Sequence, residues 1–309
     1  MRNFIFIFSL LLSTTVFAQG FTFRVLASKG ANKIKKEDGS SVALKTGATL
    51  AAKDQLIASN GAYIGLMHKT GKTIEVRQPG SYTMARLEQK VAAKNVSVAS
   101  KYAQFIANKM GDDGNVSVAS RMNVTGAVSR AVGGALPVVV PQGSIEILGD
   151  NAVIRWMEPE GVDAGAEYKI EIQNIFDETV YEDATTELAM NLNFDEIKNE
   201  TGLYLVTIST TVNGEEIKSE RIGIKRVDAD ERADLVANFK ALQEEVGEDS
   251  ALDKLVYASF FEENGMVLDA LTMYEEVVEM SPEVEDFQEL YKAFKISYGL
   301  EEIEETEED

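Results

Sequence analysis

The sequence predicts a multidomain chain, mainly β with a C-terminal α region, and three patterns in it carry that expectation. From Val25 to Tyr82, short apolar runs are separated by Gly-centred turns, the punctuation of a small all-β unit. From Gly143 to Arg226 apolar and polar residues alternate over strand-length segments, whereas from Asp230 to Leu300 apolar residues recur at helical spacing. The chain has 309 residues, room for two or three domains, and its 45% hydrophobic content is ordinary for a globular protein.

The first element is not part of the fold. Met1-Arg2-Asn3 is a short positive segment, Phe4–Leu12 is apolar apart from Ser9, and Val16-Phe17-Ala18 offers small residues where a signal peptidase reads. Residues 1–18 are expected to be a signal peptide cleaved before Gln19, which makes the mature chain periplasmic or secreted. The apolar run is too short to span a bilayer, and no other stretch reaches spanning length, so no membrane span is expected after cleavage. The absence of Cys excludes a lipid-anchored cysteine and a disulfide framework, so apolar cores must hold the domains together.

The net charge of −21 is divided unevenly. Fifteen Lys and Arg against five Asp and Glu give Gln19–Met110 a charge of +10, while twelve against forty-four give Gly143–Asp309 a charge of −32. Such asymmetry bears on partners and solubility rather than on fold.

Within the first β unit, strands are expected at Ala31–Lys36, Val42–Leu44, Gln55–Ala58, Ala62–His68 and Lys72–Arg77, with turns at Asp38-Gly39, Thr46-Gly47, Asn60-Gly61 and Thr70-Gly71. The spacing of Gly30-Ala31, Lys33-Ile34-Lys35, Leu44-Lys45-Thr46-Gly47, Leu50, Asp54-Gln55-Leu56, Ser59-Asn60-Gly61, Ile64-Gly65-Leu66, Gly71 and Ile74-Glu75-Val76 resembles the FecR-type periplasmic domain, over residues 24–84. It departs from that pattern at Lys53-Asp54, where a Gly-Asp pair is usual, and at Thr70-Gly71, where an Asp-Gly turn is usual. A helix is expected over Ser97–Met110, with Tyr102, Phe105 and Ile106 at helical spacing and Gly111-Asp112-Asp113-Gly114 stopping it. Residues 19–110 then form one domain with a trailing helix.

The string Asn95–Ser100 recurs at Asn115–Ser120, but two copies are fewer than a repeat array needs. Residues 111–142, rich in Gly, Ala and Val, are expected to be a linker lying across a domain surface.

Residues 143–226 offer seven strand candidates: Ser144–Leu148, Ala152–Met157, Tyr168–Ile175, Thr179–Tyr181, Glu187–Leu192, Leu203–Ser209 and Glu216–Lys225. Trp156 ends the second, Pro159-Glu160-Gly161 turns the chain after it, and Gly202-Leu203-Tyr204-Leu205-Val206 resembles the strand that carries a corner tyrosine. Together these resemble a fibronectin type III or immunoglobulin-like β-sandwich, closer to fibronectin because there is no disulfide.

Residues 227–300 read as helices. Leu235, Phe239, Leu242 and Val246 line one face before Gly247. Tyr257, Ala258, Phe261, Gly265, Ala270, Tyr274, Val277 and Pro282 resemble the offsets of a tetratricopeptide repeat, and a further helix with Phe287, Leu290, Tyr291, Phe294 and Tyr298 would cap it. Residues 301–309 hold seven acids and are expected to be a disordered tail.

No pattern assembles into a catalytic, cofactor or metal site. Gly71-Lys72-Thr73 has the wrong spacing for a phosphate loop, and no helix follows it. His68 is the sole histidine, which excludes a multi-histidine metal site. Asp112-Asp113 and Asp228–Glu231 lack the alternating ligands of a calcium loop, and Met266, Met273 and Met280 recur at core-filling spacing.

The expected function is therefore that of an exported non-catalytic binding or scaffold protein of the bacterial cell envelope, making protein or anionic-polymer contacts. The alternative, implied by the FecR resemblance, is a soluble sensor component of an envelope signalling system. The partner is expected to be a protein or an envelope polyanion, not a nucleic acid. Two sets of residues are candidates for contact: Lys33, Lys35, Lys69 and Lys72 for an anionic partner, and Tyr257, Phe260 and Phe261 for a bound peptide or for packing against the sandwich.

Overall fold

The structure, a computed structural model, describes residues 21–91, 98–110, 135–141 and 145–300. The expected signal peptide, the second copy of the repeated string, the Asp112-Asp113 pair, most of the expected linker and the acidic tail lie outside the described residues.

The first β unit is two antiparallel four-stranded sheets. One contains β1 (Phe23–Lys29), β4 (Thr49–Leu50), β6 (Tyr63–His68) and β7 (Thr73–Val76) in the order β4-β1-β6-β7. The other contains β2 (Lys33–Lys35), β3 (Ser41–Ala43), β5 (Gln55–Ala58) and β8 (Gly80–Thr83) in the order β3-β2-β5-β8. Phe23, Val25, Ile64 and Leu66 from the first sheet meet Ile34, Leu56 and Tyr82 from the second in one core, closed by Met84 and Leu87 of the short helix α1 (Met84–Glu88). Gly39, Gly47, Gly61 and Gly71 all take positive φ in the expected turns.

The strand at Phe23–Lys29 is missing from the sequence expectation, yet it is central in its sheet. Its alternation breaks at a bulge between Val25 and Ala27, which leaves Val25, Leu26 and Ala27 buried in succession. Phe23 and Val25 face the inner core, whereas Leu26 and Ala27 face the opposite way, into a second core shared with the helices. β6 is divided likewise: Ile64 and Leu66 point inward, Tyr63 and Met67 toward the helices, and every residue of the strand is buried. Gly65 makes this double burial possible, because a Cβ there would stand 3.1 Å from Leu252 Cδ2.

The second β unit is a sandwich. A three-stranded sheet, β14-β11-β9, is formed by β9 (Val138–Val139), β11 (Asn151–Trp156) and β14 (Ala189–Asn193). It faces a sheet ordered β10-β17-β15-β12-β13, formed by β10 (Ile145–Ile147), β12 (Tyr168–Gln173), β13 (Thr179–Thr185), β15 (Leu203–Val212) and β17 (Ile222–Arg226), with β16 (Glu215–Lys218) paired to β15. All pairings are antiparallel except β10 with β17, which is parallel. Trp156 is buried against Tyr168, and the buried Tyr204 donates its hydroxyl to Phe194 O at 3.3 Å.

Two expectations change here. The stretch Glu216–Lys225 is two strands, because Ser219 turns inward, donating its hydroxyl to Glu220 O and accepting from Ile208 N. The end of the expected linker is not laid over a surface: Leu136 and Val138 are buried, and Val138–Val139 pair with β11.

The helices lie between the two β units. α2 (Val98–Met110), α3 (Ala233–Glu245), α4 (Ala251–Glu263), α5 (Val267–Met280) and α6 (Glu285–Ser297) share one continuous core with the sandwich and with the helix-facing side of β1 and β6. α4 and α5 form an antiparallel hairpin around Gly265, which takes φ 77°. α2, expected to trail the first β unit, packs mainly on α4 and α3.

Candidate binding surfaces

The strand β2 does what its alternation requires: Ile34 is buried while Lys33 and Lys35 project outward together. The register of the sheet extends each lysine into a row. Ala43, Lys33, Ile57 and Ser81 lie side by side, as do Ser41, Lys35, Gln55 and Thr83. This outer face therefore presents two lysines among hydroxyls, an amide and the apolar Ala43 and Ile57, with no acid in either row. The nearest acids in sequence, Glu37 and Asp38, sit in the β2–β3 turn, where Glu37 pairs with Lys53 and Asp38 is held below its usual pKa by two bonds from Ser40.

Lys69 and Lys72 do not join that face. They flank the β6–β7 turn on the other sheet. Lys69 stands 3.9 Å from Glu88 of its own unit, and the half-buried Lys72 lines a cavity of about 150 Å³ together with Lys90, Glu245 and Asp253. The four lysines expected to act together are thus two pairs in different surroundings. His68 is buried in the same turn, its Nδ1 2.8 Å from Thr70 Oγ1 and its ring against Phe23. Burial pushes its pKa down, while Glu88 pulls it the other way.

The second candidate set is interior. Tyr257, Phe260 and Phe261 are 4%, 0% and 2% exposed, so no peptide can reach them. Phe239 of α3 contacts all three rings, Tyr102 of α2 packs edge-on against Phe260, and Tyr257 donates its hydroxyl to Val246 O. The expected packing against the sandwich is replaced by packing on α2 and α3, which fill the face, with Phe261 also close to Gly149.

The polar residues that join the three parts escape sequence reasoning. Asp286 of α6 accepts from Ser28 N and from Thr46 Oγ1, both at 2.9 Å. Arg77 lies over the Tyr63 ring at 4.7 Å and donates to Ser281 Oγ at 3.0 Å, and Tyr63 itself packs edge-on against Phe287. Glu245 accepts from Val98 N and Ala99 N at 3.0 and 2.8 Å, an anion placed at the positive end of α2. Lys109 of α2 and Glu262 of α4 form a nearly buried pair, completed by the Tyr274 hydroxyl.

On the sandwich side, α5 offers Asp269, Thr272 and Glu275, three residues at one-turn spacing. Asp269 accepts from Leu148 N at 3.0 Å and Gly149 N at 2.7 Å, Thr272 Oγ1 accepts from Val153 N at 3.1 Å, and Glu275 pairs with Arg155. Gly149 is needed for this approach, since a Cβ there would stand 2.7 Å from Asp269 Oδ1. The available signal was Asp269 itself, an acid set between Leu268 and Ala270 on a face otherwise built for a core.

No protein-family model and no curated protein matches the chain. Among solved structures it is similar to dimeric latent PorU from Porphyromonas gingivalis at 11% identity, a match that covers 63% of this chain and 16% of that one. The TM-score of 0.23 makes that likeness too loose to carry an argument.

Proposed function

We propose that this is an exported, non-catalytic scaffold protein of the bacterial cell envelope whose first β unit presents the β3-β2-β5-β8 face to an anionic polymer. The observation that carries this reading is the pair Lys33 and Lys35, exposed side by side on a face whose two rows contain no acid. The unit belongs to the +10 part of the sequence, so its field adds to the local attraction. The FecR resemblance of residues 24–84 and the fibronectin-like strand order with its bonded Tyr204 point to modules whose common use is to present surfaces, which supports the same reading.

The test is calorimetric titration of the chain from Gln19 with inorganic polyphosphate at low and high salt. Binding should weaken as salt rises, because exposed charges are screened over a Debye length of about 8 Å at physiological ionic strength. Lys33→Gln with Lys35→Gln should abolish most of it, and Lys69→Gln with Lys72→Gln should leave it intact. Salt-independent binding, or equal loss in the two double variants, defeats the proposal.

A further inference from the structure

The outer face of the β3-β2-β5-β8 sheet is chemically uneven, and that unevenness narrows which anionic polymer can lie on it. Neighbouring strands stand about 4.8 Å apart, so each row crossing the sheet offers one side chain per step of that length. One row runs Ser41, Lys35, Gln55, Thr83, which is hydroxyl, ammonium, amide and hydroxyl. The next row, two residues or about 6.7 Å along the strands, runs Ala43, Lys33, Ile57, Ser81 and sets a methyl, a lysine stem and a half-buried isoleucine side by side. Ser41, Ser81 and Thr83 are exposed, as are both lysines. Among the described residues, the side chains of Ser41, Gln55 and Ser81 have no hydrogen-bond partner and the two lysines no ion pair, so all are free for a ligand. Both charges stand on β2, and every other crossing point of the two rows is neutral.

A polymer charged at every unit matches this pattern poorly. Polyphosphate carries acceptor oxygens alone, so it offers no donor to the Gln55 carbonyl oxygen and lays ionised groups over Ala43 and Ile57. A chain of acidic sugar rings matches it well. Ring hydroxyls both donate and accept, ring C–H faces cover apolar side chains, and a ring carboxylate supplies an anion for an ammonium. We propose that the ligand of the Lys33–Lys35 face is an acidic polysaccharide of the uronic acid class, running across the strands between the two rows. Where it crosses β2, a carboxylate sits between Lys33 and Lys35. Where it crosses β5, a ring rests with its hydroxyls toward Gln55 and its C–H face toward Ile57, and at β3 Ser41 and Ala43 repeat that division. This inference rests on the reading of the face as anion-binding and names the class of polymer.

The experiment is calorimetric titration of the chain from Gln19 with polygalacturonate and, separately, with polyphosphate at equal total charge, both at low salt. Polygalacturonate should bind about tenfold more tightly, the worth of one or two hydrogen bonds to neutral groups. Ser41→Ala with Gln55→Ala should remove that advantage and leave polyphosphate binding unchanged, which also shows the variant to be folded. Lys33→Gln with Lys35→Gln should abolish most of the binding of both polymers. Polyphosphate binding as tight as or tighter than polygalacturonate, an undiminished polygalacturonate affinity in the Ser41→Ala, Gln55→Ala variant, or equal loss of both polymers in it overturns this inference and leaves the anion-binding face standing. Absence of binding by either polymer, or binding of both that survives the loss of the two lysines, overturns the anion-binding face as well.

Discussion

Asp269 occupies the first turn of α5 and is 1% exposed, held against the sandwich by two backbone amides. Burial pushes its pKa up to about 7, and the amides of Leu148 and Gly149, with Arg226 farther off, only partly oppose that rise. The folded value thus lies above the ordinary 3.8, so the folded protein binds this proton more tightly than the unfolded chain does. The stability it contributes is complete below about pH 4 and is lost as pH rises through about 7. Asp269→Asn should therefore flatten the decline in unfolding free energy between about pH 4 and about pH 7. It should also lower stability at acid pH by about 1–3 kcal/mol, because the amide group can accept only one of the two bonds. Urea melts of both proteins across that pH range check this, and an unchanged pH profile would show that the carboxyl does not titrate there.

At the scale of one element, α5 acts as the missing neighbour of β11. The strand pairs with β14 over Asn151–Arg155, but its register with β9 covers only Arg155 and Trp156. The edge beyond that pairing would leave the Val153 amide buried and unpaired, a costly state. Thr272 supplies the acceptor and donates its own hydroxyl back to Leu268 O, within the helix. Thr272→Val keeps the shape and removes the acceptor, so it should cost about 1–3 kcal/mol in chemical denaturation. Hydrogen exchange should localise the loss at the Val153 amide, with faster exchange there than at the amides of β15. Unaltered protection at Val153 would mean that another group takes over.

At the scale of the whole molecule, the helical layer buries one side against β1 and β6 and another against the sandwich. Leu252, fully buried, meets Gly65 of the first unit, while Asp269 and Thr272 grip the second. Helices that depend on two neighbours should be weak alone. The excised fragment Asp230–Leu300 is expected to melt well below the same helices in the full chain, as followed by circular dichroism at 222 nm, the α-helix signal. Equal melting temperatures for a monomeric fragment would show that the β units contribute little to its stability.

Most of the longer elements and their order were legible in the amino-acid sequence, because Gly-centred turns, two-residue alternation and helical spacing are local signals, whereas short pieces such as Thr49–Leu50, Gly80–Thr83 and Val138–Val139 are too brief to carry them. Ile34 inward with Lys33 and Lys35 outward follows from alternation alone. The strand at Phe23–Lys29 was hidden because a bulge and burial on both faces erase alternation, and burial on both faces exists only once the helices have docked. Tertiary structure also divided the four lysines between two sheets and filled the Tyr257, Phe260 and Phe261 face with α2 and α3. It alone paired Asp269 with amides 120 and 121 residues away. Local spacing records which way a side chain points along its own element, whereas what it meets there depends on contacts between residues far apart in the chain, and single-residue periodicity carries no trace of those.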